Sequence, residues 1–304
     1  MRLINVDTLK LESFLEISLP PYAILSHTWE EEELDFQEWQ SGSGTTNAGY
    51  KKICNVCSKA KHDGLGYCWV DTVCIDKSSS AELSEAITSM FAWYRHSDIC
   101  YAYLADVSED LASCEKLGSE FRSSRWFTRG WTLQELIAPS RVEFYTRDWE
   151  VISDKTQLAN IISDITSIDI QTLVQRSLLS THSISRRMSW AANRITTRLE
   201  DAAYCLFGIF DVNIPLLYGE GSNAFLRLQE EIIRRSDDET IFAWTSITEL
   251  FRDFHELDQH GRDALKGEII LRASDGPEFP IRPRPFIDIL SFLVSSQGFD
   301  GTGS

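Results

Sequence analysis

The chain has 304 residues, of which 43% are hydrophobic and 25% charged, and its formal net charge is −17. This length can bury a full core, and the composition is that of an ordinary globular protein. The acidic balance argues against a nucleic-acid partner, because phosphate binding depends on clustered lysine and arginine. No apolar run reaches the roughly 18 residues of a membrane span, and the N-terminus lacks a signal-peptide pattern. We therefore expect a cytoplasmic protein with neither a nucleic-acid nor a membrane partner.

The first half of the chain alternates predicted strands with predicted helices. Short apolar runs predict buried strands over residues 22–26, 67–73, 99–104 and 141–145. Apolar positions at helical spacing predict a helix over 50–61 and a second one that begins at Ser79, where Ser79 and Glu82 have the spacing of a capping box. A tight aromatic turn and a short helix are predicted over 126–136. This alternation indicates a parallel sheet covered by helices on both faces.

Cysteine spacing leaves one alternative open in the first helix. The seven cysteines are an odd number, and most lie in apolar stretches, as reduced thiols of a cytosolic core do. Cys54 and Cys57, with His62 and Cys68 nearby, have the spacing of a zinc site. The same spacing is one turn of the predicted helix, and no second Cys-x-x-Cys pair is present. We favour the helix and expect no metal site.

The second half is mostly helical in pattern and predicts an additional helical subdomain. Polar starts followed by apolar i, i+3, i+4 positions predict helices over residues 154–165, 183–195, 200–209 and 222–235. The last part of the chain is richer in proline and glycine. These patterns divide the chain into an α/β core over 1–150, a helical part over 151–245, and a C-terminal extension over 246–304 that is partly linker or tail.

Four sequence blocks carry a resemblance to a known family. They are PYAILSHTW at 21–29, YCWVDTVCIDK at 67–77, WFTRGWTLQELIAP at 126–139 and DVNIPLLYGEG at 211–221. Together they resemble the fungal heterokaryon-incompatibility (HET) domain over residues 1–245. The resemblance implies an effector domain of allorecognition that triggers programmed cell death. It also implies an attached or partner nucleotide-binding oligomerisation domain with a repeat sensor, so that this chain is expected to be the effector part of a longer protein.

The HET domain is in turn similar to the TIR domain, a flavodoxin-like fold with members that cleave NAD. In TIR enzymes a strand ending in serine opens the fold, as Ser26 does here, and a later Trp-x-x-x-Glu carries the catalytic carboxylate, as Trp131 and Glu135 do here. The resemblance implies a TIR/flavodoxin-like sheet and an NAD glycohydrolase that is switched on by self-association. NAD is the expected substrate, the product is linear or cyclic ADP-ribose, and no cofactor is required.

This chemistry requires a carboxylate beside a ribose. Cleavage of the nicotinamide–ribose bond passes through an oxocarbenium-like state, which a carboxylate stabilises. Glu135 is the predicted catalytic residue. Residues at the carboxyl ends of the strands and in the following loops are predicted to bind NAD, because open α/β sheets bind ligands at that edge. These residues are Ser26, His27, Trp29, Asp71, Asp76, Arg129 and Trp131.

Two of these residues have more specific predicted roles. Trp131 lies one helical turn before Glu135 and is expected to share its face and wall the site. Arg129, or equally Lys77, is expected to pair with the diphosphate.

Structural alternatives stand beside these roles. Glu135 can be a solvated or capping carboxylate, and His27 a hydrogen-bonded structural residue instead of a base. Asp71 can belong to a structural network, since a buried charge is costly unless it is paired. Asp76 can simply cap a turn. The acidic run over 30–33 is expected to be solvated, and Glu220 is expected to pack, with lining the pocket as its alternative.

Function also has alternatives. A non-enzymatic TIR-like signalling adaptor would act by self-association alone, and a third class would bind NAD without turnover. An orthodox hydrolase is less attractive, because the chain has no G-x-S-x-G, H-E-x-x-H or P-loop motif.

Overall fold

The computed structural model describes residues 1–108, 111–114, 116 and 118–241. The chain divides into two units, and the first comprises Met1–His182 and Arg194–Ser236. The described part of the second unit comprises residues 183–193 and 237–241. The predicted C-terminal extension over 246–304 lies outside the described residues.

A seven-stranded sheet forms the centre of the first unit. Its strands are β1 (Arg2–Asn5), β2 (Leu11–Ser13), β3 (Tyr22–His27), β4 (Tyr67–Trp69), β5 (Ile99–Tyr103), β6 (Val142–Tyr145) and β7 (Val151–Asp154). Their spatial order is β2-β1-β4-β3-β5-β6-β7. β4, β3, β5 and β6 are parallel, so the first four parallel strands follow the 2-1-3-4 order of flavodoxin-like sheets. The chain reverses its winding direction at β3, which makes the carboxyl ends of β3 and β5 the expected ligand position.

The predicted α/β fold is confirmed, but the sheet is mixed instead of wholly parallel. β1 pairs antiparallel with β2 and β4, and β7 pairs antiparallel with β6. Sequence patterns did not indicate these three strands, because each is short and has at most two consecutive apolar residues. Antiparallel neighbours need no crossover helix, so two hairpins extend the parallel core on both sides.

The described residues also form thirteen helices. They are α1 (Phe36–Ser41), α2 (Ala48–His62), α3 (Asp71–Cys74), α4 (Ser80–His96), α5 (Leu111–Cys114), α6 (Glu120–Ser123), α7 (Thr132–Ile137), α8 (Ala159–Thr166), α9 (Ile170–Leu173), α10 (Ile184–Ser189), α11 (Asp201–Tyr204), α12 (Phe207–Phe210) and α13 (Asn223–Arg235). Short 3-10 turns occupy Glu16–Ser18, Arg125–Thr128, Leu179–Thr181 and Glu239–Ile241. Within the described part of the chain, none of these helices has the length and apolar content that a bilayer crossing demands.

The two faces of the sheet carry different helices. Alternate strand residues point to opposite faces, and the side chains of β3 and β5 show which helix lies on each. Ser26 and the Cys100 thiol contact Glu135 of α7. On the other face, the Tyr101 hydroxyl donates to Asp63, the residue that ends α2, at 2.8 Å. Ser26 and its neighbour His27 therefore face opposite sides.

The two long predicted helices are confirmed, and both have N-terminal caps. The Asn47 side chain accepts from the Tyr50 backbone N–H at the start of α2, and Ser79 accepts from that of Glu82 at the start of α4. The Glu82 carboxylate instead accepts from the Asp76 N–H at 2.7 Å. The predicted capping box is therefore made only on its serine side.

Several predicted boundaries are wrong. The strand predicted over 67–73 ends at Trp69, and Asp71 opens the short helix α3. The helix predicted from Asp154 begins at Ala159, because Asp154 ends β7 and its carboxylate accepts the N–H groups of the following turn. The helix predicted over 200–209 is split into α11 and α12. The sheet extends four residues past position 150, and the division into domains otherwise stays a prediction.

The second unit, as far as it is described, is a small hydrogen-bonded cluster. α10 begins after Ser183, whose side chain caps it. The Asp238 carboxylate accepts from the Ile184 N–H at 2.8 Å, and the Thr240 hydroxyl accepts from the Ser185 N–H at 3.2 Å. These contacts tie the first turn of α10 to the segment 237–241.

Candidate active site

A buried serine–glutamate pair lies at the carboxyl end of β3. Ser26 Oγ donates a hydrogen bond to Glu135 Oε2 at 2.5 Å, and Trp126 Nε1 donates to Ser26 Oγ at 2.9 Å. Glu135 is 7% exposed, and Ser26 and Trp126 are fully buried. The serine hydroxyl thus accepts from the indole and directs its own proton to the carboxylate.

Burial dominates the electrostatics of Glu135. It raises the pKa of the carboxyl to about 7, because the charged form loses hydration. The hydrogen bond from Ser26 acts in the opposite direction, and the negative charge of Asp71 adds to the rise. A pKa in this range places the change in protonation state of Glu135 near neutral pH.

The turn Arg129-Gly130-Trp131 precedes α7 and fixes the position of its first residue. Gly130 N–H donates to Ile195 O at 3.0 Å, and a Cβ on Gly130 would stand 2.3 Å from Thr196 Cγ2. A side chain at position 130 would therefore force the Thr196 side chain to shift. Thr132 Oγ1 then donates to the Trp126 carbonyl at 2.5 Å, so the first residue of α7 is bonded to the turn before it.

A second cluster surrounds Asp71. His27 Nε2 lies 3.0 Å from Asp71 Oδ1, while Trp29 Nε1 and Lys77 Nζ donate to Asp71 Oδ2 at 3.0 and 3.4 Å. Lys77 Nζ also lies 3.7 Å from the centroid of the Trp29 ring, which is a cation–π contact. Burial raises the pKa of Asp71, but Lys77 and His27 outweigh it and hold that pKa below its usual range.

His27 lies between two carboxylates. Its Nδ1 is 3.5 Å from Glu33 Oε1, a distance for an ion pair and too long for a good hydrogen bond. Lys52 Nζ contacts the same glutamate oxygen. Burial and Lys52 lower the pKa of His27, but Asp71 and Glu33 raise it by more, so the net shift of the pKa is upward. A buried imidazolium held on both sides is better suited to orienting its neighbours than to taking a proton.

The acidic run over 30–33 is not wholly solvated, which corrects the sequence-based expectation. The Glu33 side chain is 13% exposed because it turns inward to His27 and Lys52, next to the fully buried Leu34. Burial raises the pKa of Glu33, and the two cations lower it to about 2. Sequence carried a weak signal for this, since an apolar residue at position 34 brings its neighbour toward the core.

The other predicted site residues make their contacts outside these clusters. Asp76 caps its own turn by accepting from the Ser78 N–H and hydroxyl. Arg129 donates to Thr197 at 3.1 Å, and Trp131 hydrogen bonds with Asp201. The structure thus brings Ser26 into contact with Glu135, and both His27 and Trp29 into contact with Asp71. The catalytic assignment of Glu135 and all the NAD-binding assignments, including those of Asp76, Arg129 and Trp131, stay predictions.

Two other features have structural roles. Glu220 accepts from Tyr204 at 3.1 Å and pairs with Arg227, as expected for a packing residue. The helical interpretation of Cys54 and Cys57 is confirmed, since both lie within α2. Among the described residues, no cluster of three His, Cys, Asp or Glu is arranged to hold a metal ion.

Trp126 and Tyr94 are site residues that sequence patterns did not single out. Tyr94 OH donates to the Leu25 carbonyl at 2.8 Å and also interacts with Glu135. Their sequence patterns predicted only an aromatic turn at Trp126 and a helical position for Tyr94. Trp126 is the first residue of the block 126–139, which also contains Glu135. This shared block was the sequence signal that could have placed Trp126 in the site.

The fold and the buried pair define a class: a doubly wound α/β protein with a titratable carboxyl at the carboxyl end of its central strand. Residues 22–119 match the sequence model of the family described as "Heterokaryon incompatibility protein (HET)". The chain carries a HET domain, which confirms the resemblance found in its sequence. Residues 223–279 match "Domain of unknown function (DUF8212)", most of which lies beyond the described residues.

One relative matches a longer stretch of the chain. The chain is 50% identical over 220 residues to "Vegetative incompatibility protein HET-E-1" of Podospora anserina. The matched region is 70% of this chain and 16% of that relative. No solved structure matches the chain. Ser26, His27 and Asp71 lie within the stretch matched by the HET model, and Glu135 lies beyond it.

Proposed function

We propose that this domain is the effector of a fungal incompatibility system and triggers cell death by hydrolysing NAD after self-association. The likeness to a vegetative incompatibility protein supports the biological role. The observation that carries the chemistry is the 2.5 Å hydrogen bond from Ser26 to Glu135 at the carboxyl end of β3. It joins a titratable carboxyl to the edge where doubly wound sheets bind nucleotides.

The reaction consumes NAD and water and yields nicotinamide, ADP-ribose and a proton. The ribose–nitrogen bond breaks with its electron pair going to the nicotinamide ring, which leaves as a neutral base and needs no acid. Ionised Glu135 stabilises the positive charge that develops on the anomeric carbon, and water then adds to that carbon. Ser26 favours the ionised form of Glu135, because a hydrogen bond to a carboxylate lowers its pKa.

The Asp71 cluster offers a place for the rest of the dinucleotide. Trp29 is 52% exposed, although its indole N–H is fixed by Asp71, so the ring presents a rigid face to a planar base. Lys77 supplies the local positive charge that an acidic protein needs to hold a diphosphate. His27 anchors Asp71 from the other side and keeps the cluster in place.

Burial of Glu135 supports a role for self-association. A carboxyl that is 7% exposed cannot meet a ribose until its surroundings move. Association of copies, driven by an attached nucleotide-binding oligomerisation domain with a repeat sensor, would supply that movement in the cytoplasm. The chain spans only 16% of the relative that it matches, which leaves room for such domains in a longer protein.

The test is expression of the chain fused to an inducible dimerising module, with cell viability and total NAD measured together. Wild type is expected to deplete NAD before viability falls. Glu135→Gln is expected to abolish both effects, and the matched control Glu230→Gln, at an exposed position of α13, to retain both. Cell death at undiminished NAD in wild type would refute the proposal.

The second candidate is a non-enzymatic adaptor, which the burial of Glu135 also supports. An adaptor needs no open carboxyl, because it works through its surface alone. It predicts that dimerised Glu135→Gln kills as wild type does, and that only variants that block association lose toxicity.

A further inference from the structure

We infer that Lys155 and Gln175 are positioning residues, which hold the C-terminal end of α7 so that the Glu135 carboxyl faces Ser26. Lys155 follows β7, and Gln175 follows α9, so both come from the segment beyond the parallel strands. The inference rests on the proposed role of Glu135 and adds two residues outside the predicted site.

The contacts converge on four consecutive carbonyl groups. Lys155 Nζ donates to Leu136 O at 3.0 Å and to Pro139 O at 2.6 Å. Gln175 Nε2 lies 3.3, 3.2 and 2.8 Å from the carbonyl oxygens of Ile137, Ala138 and Pro139. The last carbonyls of a helix have no partner within it. Here the carbonyls of Leu136 and Pro139 accept from Lys155, and the two N–H groups of the Gln175 amide are shared among the carbonyls of residues 137–139.

A helix as short as α7 needs such support. It has six residues, well below the length at which a helix is stable by itself. Its N-terminal end is bonded through Thr132, whose hydroxyl donates to Trp126 O and accepts from Arg194 at 2.8 Å. Glu135 lies between the two ends, one residue before Leu136. If the C-terminal turn loosened, Glu135 would shift against Ser26, which is fixed in the central strand.

The burial of Lys155 fits this role. The residue is 1% exposed, and burial lowers the pKa of its ammonium group to about 8, so it remains largely charged at neutral pH. A buried charge is costly unless it is compensated, and the negative end of a helix provides that compensation. An apolar residue of similar length would fill the space but leave the Leu136 and Pro139 carbonyls with fewer donors.

The test measures the Glu135 carboxyl directly, by ¹³C NMR titration of the 304-residue chain with the signal assigned through Glu135→Gln. Gln175→Leu removes a neutral donor at an exposed position, so it changes no charge. It is expected to lower the pKa of Glu135 by about one unit or more, because a carboxyl that leaves its buried position regains hydration. Lys155→Met is the second variant, and faster hydrogen exchange of the α7 amides is expected in both.

The matched control is Tyr204→Phe, which removes a hydroxyl that bonds Glu220 and the Leu217 N–H in the same unit. It is expected to lower unfolding stability without moving the Glu135 pKa. If Gln175→Leu and Lys155→Met behave like this control, losing stability while the pKa and the α7 exchange rates stay unchanged, the two residues are merely structural and the inference is overturned.

This experiment separates the inference from the proposed function. The titration needs no turnover, so a wild-type chain that never cleaves NAD but shows the pKa change would refute the NAD chemistry and support the positioning role. Where NAD is cleaved, Gln175→Leu is expected to lower kcat by up to about 10²-fold at unchanged KM, as a displaced catalytic group does. An unchanged kcat would overturn the positioning role while leaving the NAD chemistry intact.

Discussion

Glu135 is held between two opposing influences. Burial favours its protonated form, and the hydrogen bond from Ser26 favours the ionised form. The result is a pKa of about 7, at which a small change in either influence alters the protonation state under physiological conditions. An exposed glutamate would remain ionised and would not respond in this way.

Ser26→Ala is expected to raise the pKa of Glu135 by about one unit. A hydrogen bond to a charged group contributes about 1.5–3 kcal/mol, and one pKa unit corresponds to about 1.4 kcal/mol. The ¹³C titration of the carboxyl measures the change. Ser153→Ala is the matched control, since Ser153 is also buried but bonds Gln157. A pKa that stays constant or falls in Ser26→Ala would contradict the assigned hydrogen bond.

Glu135→Gln is expected to change how stability depends on pH. The pKa of the folded carboxyl is about 7 against an ordinary 4.5, a difference worth about 3 kcal/mol. Between these values the folded state binds the extra proton, so the stability contributed by protonated Glu135 is complete below 4.5 and is lost as the pH rises through 7. Urea unfolding at about pH 5 and pH 8 measures this change. The free energy of unfolding is expected to fall less between these pH values in the variant than in wild type. Equal losses would rule out a raised pKa.

Residue contacts were only partly accessible from sequence. The resemblance identified Glu135 and Ser26, and strand-end placement predicted that they would lie near each other. The contacts of Asp71 with His27 and Trp29 join residues 44 and 42 positions apart, which no local pattern encodes. The inward turn of Glu33 was missed for the same reason, because its partner Lys52 lies on a different element.

Elements with a long periodic pattern were predicted well. α2 and α4 have 15 and 17 residues, enough for the apolar spacing to repeat and for an N-cap to mark the start. β1, β2 and β7 were not predicted, because each is short and has at most two consecutive apolar residues. α7 depends on close approach at Gly130 and on donors from distant segments, so its exact limits follow from tertiary contacts.

Gly130→Ala is expected to destabilise the fold by about 1–3 kcal/mol, because an added methyl group would overpack the contact with Thr196. Gly66→Ala is the matched control, since a Cβ there would meet nothing within 4 Å. Urea unfolding of both variants measures the difference. Equal stability of the two variants would show that the segments are not held as closely as described.

At the scale of the whole molecule, the winding order of the parallel strands brings the chemistry together. β3 lies between β4 and β5, so its carboxyl end adjoins the loops that follow both neighbours. Ser26 donates a hydrogen bond to Glu135 on one face of the sheet, and the neighbouring His27 contacts Asp71 and Glu33. The α/β alternation indicated a parallel sheet, and the resemblance implied a flavodoxin-like one. The burial of Glu135, in contrast, depends on packing that sequence patterns do not report.

The most direct test of NAD cleavage at Glu135 is nicotinamide release from NAD by the purified 304-residue chain, monomeric or brought together by a dimerising module. Wild type is expected to release nicotinamide when assembled and far less as a monomer. Assembled Glu135→Gln is expected to be slower by on the order of 10²-fold or more, as when a stabilising catalytic group is removed. Equal rates for assembled wild type and assembled Glu135→Gln would contradict the account.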